Sequence, residues 1–285
     1  MNNEKKNRLN DKLFQGIGIF ATFIGLILLA VFIGFIIYIG WDRLSWDFMV
    51  SLPSRLAKRA GILTAWTGTL WIMALTTLIS FPIGVGAGIY LEEYSENNWF
   101  TNLLEINISN LAGVPSVIYG LLGLVIFVRV MKMGGSLLAG SSTLSLLILP
   151  IIIVATREAI SAVPRTVKEA SLALGASKWQ TIWHQTLPAA MGGILTGVIL
   201  ALSRAVGETA PLIVVGALTY VPFTPKSPMD QFTVLPIQIF NWVTRPQQEF
   251  IINAAAAIII LLIITFAMNG IAIYLRNRWQ QRVGW

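Results

Sequence analysis

Long stretches almost without charged residues, six in all, divide this 285-residue chain, and they leave few folds open. They run from Gly16 to Gly40, Ala60 to Leu91, Ile106 to Val128, Met133 to Thr156, about Gly192 to Leu218, and Phe250 to Leu275. A bilayer core of about 30 Å is crossed by about 20 helical residues. Backbone amides in lipid must be bonded within the segment, so stretches of this length form helices; barrel strands would alternate over about 10 residues. Only 12% of the residues are charged, against about 25% in an ordinary soluble domain. The expected fold is therefore all-α and polytopic, with six transmembrane helices. Residues 1–15 form an N-terminal tail, 16–40 the first transmembrane helix and 60–275 the remaining five. Within the last part lie an inner segment, 157–188, and an outer one, 220–249, followed by a C-terminal tail, 276–285.

The charge balance of +7 would suggest nucleic-acid binding in a soluble protein. Here its placement decides the reading. Lys5, Lys6, Arg8 and Lys12 precede an apolar run that is long and lacks a small-residue cleavage site, so it reads as a retained helix and not as a secretory signal. With the N-terminus inside, the tails and inner segments hold 11 basic residues and the outer segments 8, a slight inward excess. Tyr38, Trp41, Tyr90, Tyr94, Trp242, Tyr274 and Trp279 sit near span ends, where interfacial aromatics are expected. The five prolines of the outer segment break it up, with Val234 to Trp242 expected in the interface.

Several chemistries lack their residues. There is no cysteine and one histidine, His184, so thiolate and polyhistidine metal sites are excluded. No Gly-Lys dipeptide occurs, hence no Walker phosphate loop. Aspartate is confined to Asp11, Asp42, Asp47 and Asp230, outside the spans, which removes a carboxylate-pair protease. Gly84 and Gly88, like Gly193 and Gly197, are spaced for close helix contact.

Against this background Arg204 and Glu208 stand out, because they are the charges within a stretch expected to span. An arginine at that depth costs about 2.5–3.5 kcal/mol on insertion scales, so it faces protein or water. The two are spaced i, i+4 and share a face. They form either a self-neutralised structural pair or a site on a hydrophilic path, where the planar guanidinium suits an oxyanion. In the second case Glu208 offsets part of the charge, so that an anion also leaves.

The inner segment holds Glu169-Ala170-Ser171-Leu172-Ala173-Leu174-Gly175 and ends in Leu187-Pro188. Val167, Ala170 and Leu174 share a helical face. Gly175 is placed to end the helix in a left-handed conformation, and Pro188 to start the next element. Periodicity alone leaves two readings, a loop on lipid headgroups or a helix-glycine-helix that lodges in a partner's groove. Arg157 opens the segment as an interfacial anchor or, as a weaker candidate, as part of the path.

Glu169-Ala170, Gly175 and Leu187-Pro188 resemble the EAA motif of bacterial ABC importer permeases, with Ser171 and Gln185 as departures. Gly88 to Tyr94, Gly113 to Leu121, Arg157-Glu158-Ala159-Ile160 with Val163-Pro164, and Arg204 to Leu212 resemble the A-type permeases of the phosphate (Pst) import family. The resemblance implies a type I, MetI-like permease fold in a bacterial inner membrane, with both termini cytoplasmic. It further implies docking of an ATPase on Glu169, Ala170, Gly175, Leu187 and Pro188. Implied partners are a C-type permease, two ATPase subunits that bind ATP and Mg²⁺, an external phosphate-binding protein and membrane lipids. No cofactor of this chain, no catalysis by it and no nucleic acid are implied. Another oxyanion as cargo, or an ATPase-independent channel or secondary transporter, are the alternatives.

Overall fold

The computed structural model describes residues 2–96 and 98–283, and the side chains of 11–96 and 98–279. Met1, Gly284 and Trp285 of the expected tails, and the side chains of Lys5, Lys6, Arg8 and Arg282, lie outside the described part.

The order of elements is α1 (Asn2–Gly40), α2 (Trp46–Val50), α3 (Leu63–Ile89), α4 (Trp99–Leu111), α5 (Ser116–Gly123), α6 (Leu137–Ser161), α7 (Arg165–Ala173), α8 (Lys178–Thr181), α9 (Leu187–Val206), α10 (Ala210–Val215), α11 (Leu235–Val243) and α12 (Glu249–Val283). Wider π turns extend α3 through Tyr90–Tyr94 and α5 through Leu124–Val130, and join α8 to α9 through Ile182–Thr186. Five of the described helices are long and apolar enough to cross a membrane, and the bent pair α4–α5 makes a sixth when it is counted as one span.

That sixth span departs from expectation. The stretch Ile106 to Val128 is not straight: α4 and α5 are bent by 106° about Gly113-Val114-Pro115. Pro115 is extended, with ψ 135°, and supplies no N–H, so the helix stops before it. Tyr119 then donates its hydroxyl to the Leu111 carbonyl at 2.7 Å, satisfying one of the acceptors left open at the end of α4. The fifth stretch is also interrupted, at Gly207, because Pro211 cannot continue the α9 hydrogen-bond ladder.

Helix directions follow from the contacts. α3 and α6 run parallel, with Thr76 donating to the Ser141 carbonyl and Ser145 to that of Thr76. α6 and α9 are antiparallel, as are α9 and α12, where Arg276 donates to Thr196 and Ser203 to Asn269. α1 meets α12 at Gly40, and Arg43 just beyond it donates to Asn253 at 2.8 Å, so the start of α1 and the end of α12 lie at the end of the bundle that carries 157–188. Only 6% of the apolar window of α1 is buried inside the chain, against 61% in α6. α6 is the central post, and α1 a peripheral helix left to lipid or a neighbour.

The expected small-residue contacts are present. A Cβ on Gly84 would stand 2.6 Å from Ile152 Cγ2, on Gly88 2.6 Å from Thr156 Cβ, and on Gly193 2.7 Å from Ala159 Cβ; Gly197 abuts Ala155. With lipid as apolar as the helices, close van der Waals packing is what joins them. Gly197→Leu is therefore expected to separate α6 from α9 and lower the melting temperature and yield of the purified chain. Gly86→Leu, with nothing within 4 Å of an added Cβ, leaves both near normal. Equal behaviour of the two variants in a melting assay would contradict this packing.

The outer segment is folded inward. Within Val234 to Trp242, Leu235, Ile237 and Trp242 are buried against the bundle, and Trp242 sits between Phe48 and Phe250 with ring centroids 6.0 and 6.3 Å away. Its indole is core and not belt, whereas Tyr38, Trp41, Tyr90 and Tyr274 are exposed as expected. Asp230 closes a turn by accepting the backbone N–H of Lys226 and Ser227, bonds that hold its carboxyl below the ordinary value. Its own carbonyl accepts from Leu137 N, which ties the segment to the start of α6.

Candidate functional site

Arg204 lies in the last turn of α9, where a cation complements the negative end of the helix dipole. Its Nε stands 3.5 Å from Glu208 Oε1, so the i, i+4 pair forms, although Glu208 is already beyond the helix end. The antiparallel register of α6 and α9, set by Gly193 on Ala159 and Gly197 on Ala155, carries Arg204 to the level of Ile148, close to the midpoint of α6. The Ser203–Asn269 bond, 2.8 Å, places the same level well inside α12. α9, part of a helix long enough to cross a membrane, therefore ends level with the middle of α6 and α12. Arg204 stands in its last turn and not within a helix that continues on both sides, as expected.

That position resolves the cost of the buried charge. The guanidinium is 42% exposed on the isolated chain while the Glu208 carboxylate is 17% exposed, so the acid is sheltered and the base presented. Gly120 of α5 abuts Pro211 of α10, which brings the α4–α5 bend against the chain just beyond the pair. Chemically the arrangement offers a fork of N–H donors with one partial counter-charge, at mid-depth, on an accessible surface. Asn269 is the partner that sequence reasoning missed, one of two asparagines in the stretch Phe250 to Leu275, and Tyr119 stood only within the Gly113 to Leu121 string with no role of its own.

In the inner segment, α7 and the residue after it line an open cavity of about 470 Å³ with Thr166, Val167, Ala170, Ser171 and Leu174, and Gln185 lines it as well. Gly175 adopts φ +87° as expected. Ser177, not Pro188, starts the next element: its hydroxyl accepts Gln180 N while the Gln180 side chain accepts Ser177 N. Pro188 sits inside the continuing helix, where the preceding π turn absorbs its missing donor. Glu169, Ala170 and Gly175 are exposed, whereas Leu187 is buried in the bundle core and Pro188 is half-buried. The first three are open to contact; the last two anchor the first turn of α9 in the bundle. Arg157 bridges Glu92 at 3.3 Å and Glu105 at 3.0 Å, so its charge is engaged by two carboxylates.

A family model described as "Binding-protein-dependent transport system inner membrane component" matches residues 81–281. The "Probable ABC transporter permease protein YqgI" of Bacillus subtilis is 34% identical, covering 91% of this chain and 93% of its own length. The "Phosphate transport system permease protein PstA" of Haemophilus influenzae is 33% identical over 92% and 91%. Among solved structures, a bacterial alginate ABC transporter in complex with an alginate pentasaccharide-bound periplasmic protein aligns with TM-score 0.69 at 16% identity, over 96% of this chain and 97% of that one. The MetNI methionine ABC transporter, inward facing, aligns with TM-score 0.59 at 18% identity, over 74% and 94%. These two likenesses establish the fold.

Proposed function

The chain belongs to the family of binding-protein-dependent transport system inner membrane components, and from that premise we propose that its cargo is inorganic phosphate. It is a multi-pass permease subunit of an ABC importer. The finer reading rests on one observation: an arginine paired with a glutamate, presented at mid-depth where α9 stops. Phosphate offers two or three anionic oxygens, which a guanidinium binds in a bidentate manner. Glu208 takes up part of the positive charge, keeping the contact weak enough for release, since transport requires both entry and departure. The curated PstA relatives support phosphate over other oxyanions.

In this reading a second, C-type permease completes the path, and two cytoplasmic ATPase subunits hydrolyse ATP with Mg²⁺. They dock on the surface around Glu169, Ala170 and Gly175, and an external phosphate-binding protein delivers the cargo. Both termini and the 157–188 segment face the cytoplasm of a bacterial inner membrane. Reconstitution of the four components in proteoliposomes is expected to give ATP-dependent uptake of phosphate and little of sulfate. Preferential uptake of another solute would remove the phosphate assignment; uptake by this chain driven by a gradient alone would remove the importer reading.

A further inference from the structure

Glu92, Glu93 and Tyr94 are consecutive, and each is held by a cation from a different part of the 157–188 region. Arg157, near the end of α6, pairs with Glu92 and also with Glu105 of α4. Lys168 of α7 pairs with Glu93 at 2.6 Å. Lys178, at the start of α8, places its ammonium 5.0 Å from the centroid of the Tyr94 ring. The three anchor residues lie on the π turn that ends α3.

The pairs differ in setting. Glu93 is 10% exposed and Lys168 21%, so this link is partly desolvated and is worth more than a surface pair; Arg157 is 38% exposed and shares its charge between two acids. α7 otherwise leans on the bundle only lightly: none of its residues is buried, and its apolar face opens on the cavity that ends at Gln185. The Glu93–Lys168 bond is thus the strong polar tie between this helix and a membrane-crossing one.

We infer that the turn Glu92-Glu93-Tyr94 is a clasp that transmits movement of α7 into α3, with Glu93 and Lys168 as its positioning residues. This rests on the reading of α7 as part of the ATPase-docking surface. A helix pushed or pulled by a partner moves a span only through contacts stiff enough not to slide. A short, sheltered ion pair meets that requirement, and the open apolar face of α7 does not. Through Glu105 the same clasp reaches α4, and at the α4–α5 bend α4 is tied to Tyr119 of α5.

The test uses the whole complex, with the partner permease, ATPases and phosphate-loaded binding protein. Glu93→Gln and Lys168→Gln are expected to keep ATPase co-purification and unstimulated hydrolysis near normal. Stimulation by the loaded binding protein falls by at least about fivefold, the low end of usual coupling between sites. The exchanged pair, Glu93→Lys with Lys168→Glu, restores stimulation well above either single variant. Normal stimulation in the single variants overturns the clasp. So does loss of ATPase co-purification, which assigns the pair to docking, or failure of both single variants to assemble, which assigns it to folding. Cargo other than phosphate would refute the substrate reading and leave this hydrolysis comparison intact, with that solute loaded instead.

Discussion

Arg204→Gln is expected to lower phosphate uptake by at least about tenfold while the complex still assembles, since hydrogen bonds to charged groups contribute about 1.5–3 kcal/mol and each 1.4 kcal/mol is about tenfold. Assembly should survive because the guanidinium is partly exposed and makes one long contact, 3.5 Å to Glu208, so little packing depends on it. Glutamine keeps a donor and most of the side-chain length but loses the charge and the planar fork. Arg204→Lys retains the charge as a point and is expected to fall between the two. Glu208→Gln tests the other half of the pair. With the acid neutralised, phosphate is held longer, and maximal uptake drops while apparent affinity rises. Radiolabelled phosphate uptake in proteoliposomes reads all three. Normal uptake by Arg204→Gln would leave the pair as a structural neutralisation at the end of α9, which is the other reading its spacing permits.

The second large effect is expected at Gly175. Its φ of +87° costs an ordinary L-residue about 1–2 kcal/mol, and β-branched residues more. Nothing stands within 4 Å of an added Cβ, so a substitution acts on the backbone of this chain and not through a clash inside it. Gly175→Val should unwind the turn between α7 and α8, displace Glu169 and Ala170 from their presented positions, and reduce co-purification of the ATPase severalfold. Gly175→Asn, which tolerates the left-handed region, should retain most of it. If Val and Asn are equally harmful, the partner needs a bare surface at this point and the conformation is secondary. If Val is harmless, the turn is not part of the docking surface.

The two expectations draw on different kinds of legibility. Gly175 could be read in advance because its role is local: an apolar face ending in glycine determines a helix stop wherever it lies. The capping box at Ser177 and Gln180 is equally local, and the same reasoning applied there would have moved the start of the next helix from Pro188 to Lys178. The small-residue contacts of Gly84, Gly88, Gly193 and Gly197 were legible as types, though not their partners. Trp242 was misread because an aromatic near a span end looks the same whether it meets headgroups or plugs the bundle.

The sequence by itself determined that the chain is helical and membrane-crossing, because no other backbone arrangement satisfies its amides over such uncharged lengths. It also singled out Arg204 and Glu208, through the cost of a charge in that setting, and it marked the α7–Gly175 turn. Only the tertiary structure decided that the third stretch is bent by 106°, that α9 stops level with the middle of α6, and that Arg157, Lys168 and Lys178 close on three consecutive residues of the π turn after α3. The physical reason is that depth and pairing are properties of register between helices. Register is set by contacts such as Gly193 on Ala159 and Ser203 on Asn269, whose partners are remote along the chain, and no local pattern records them.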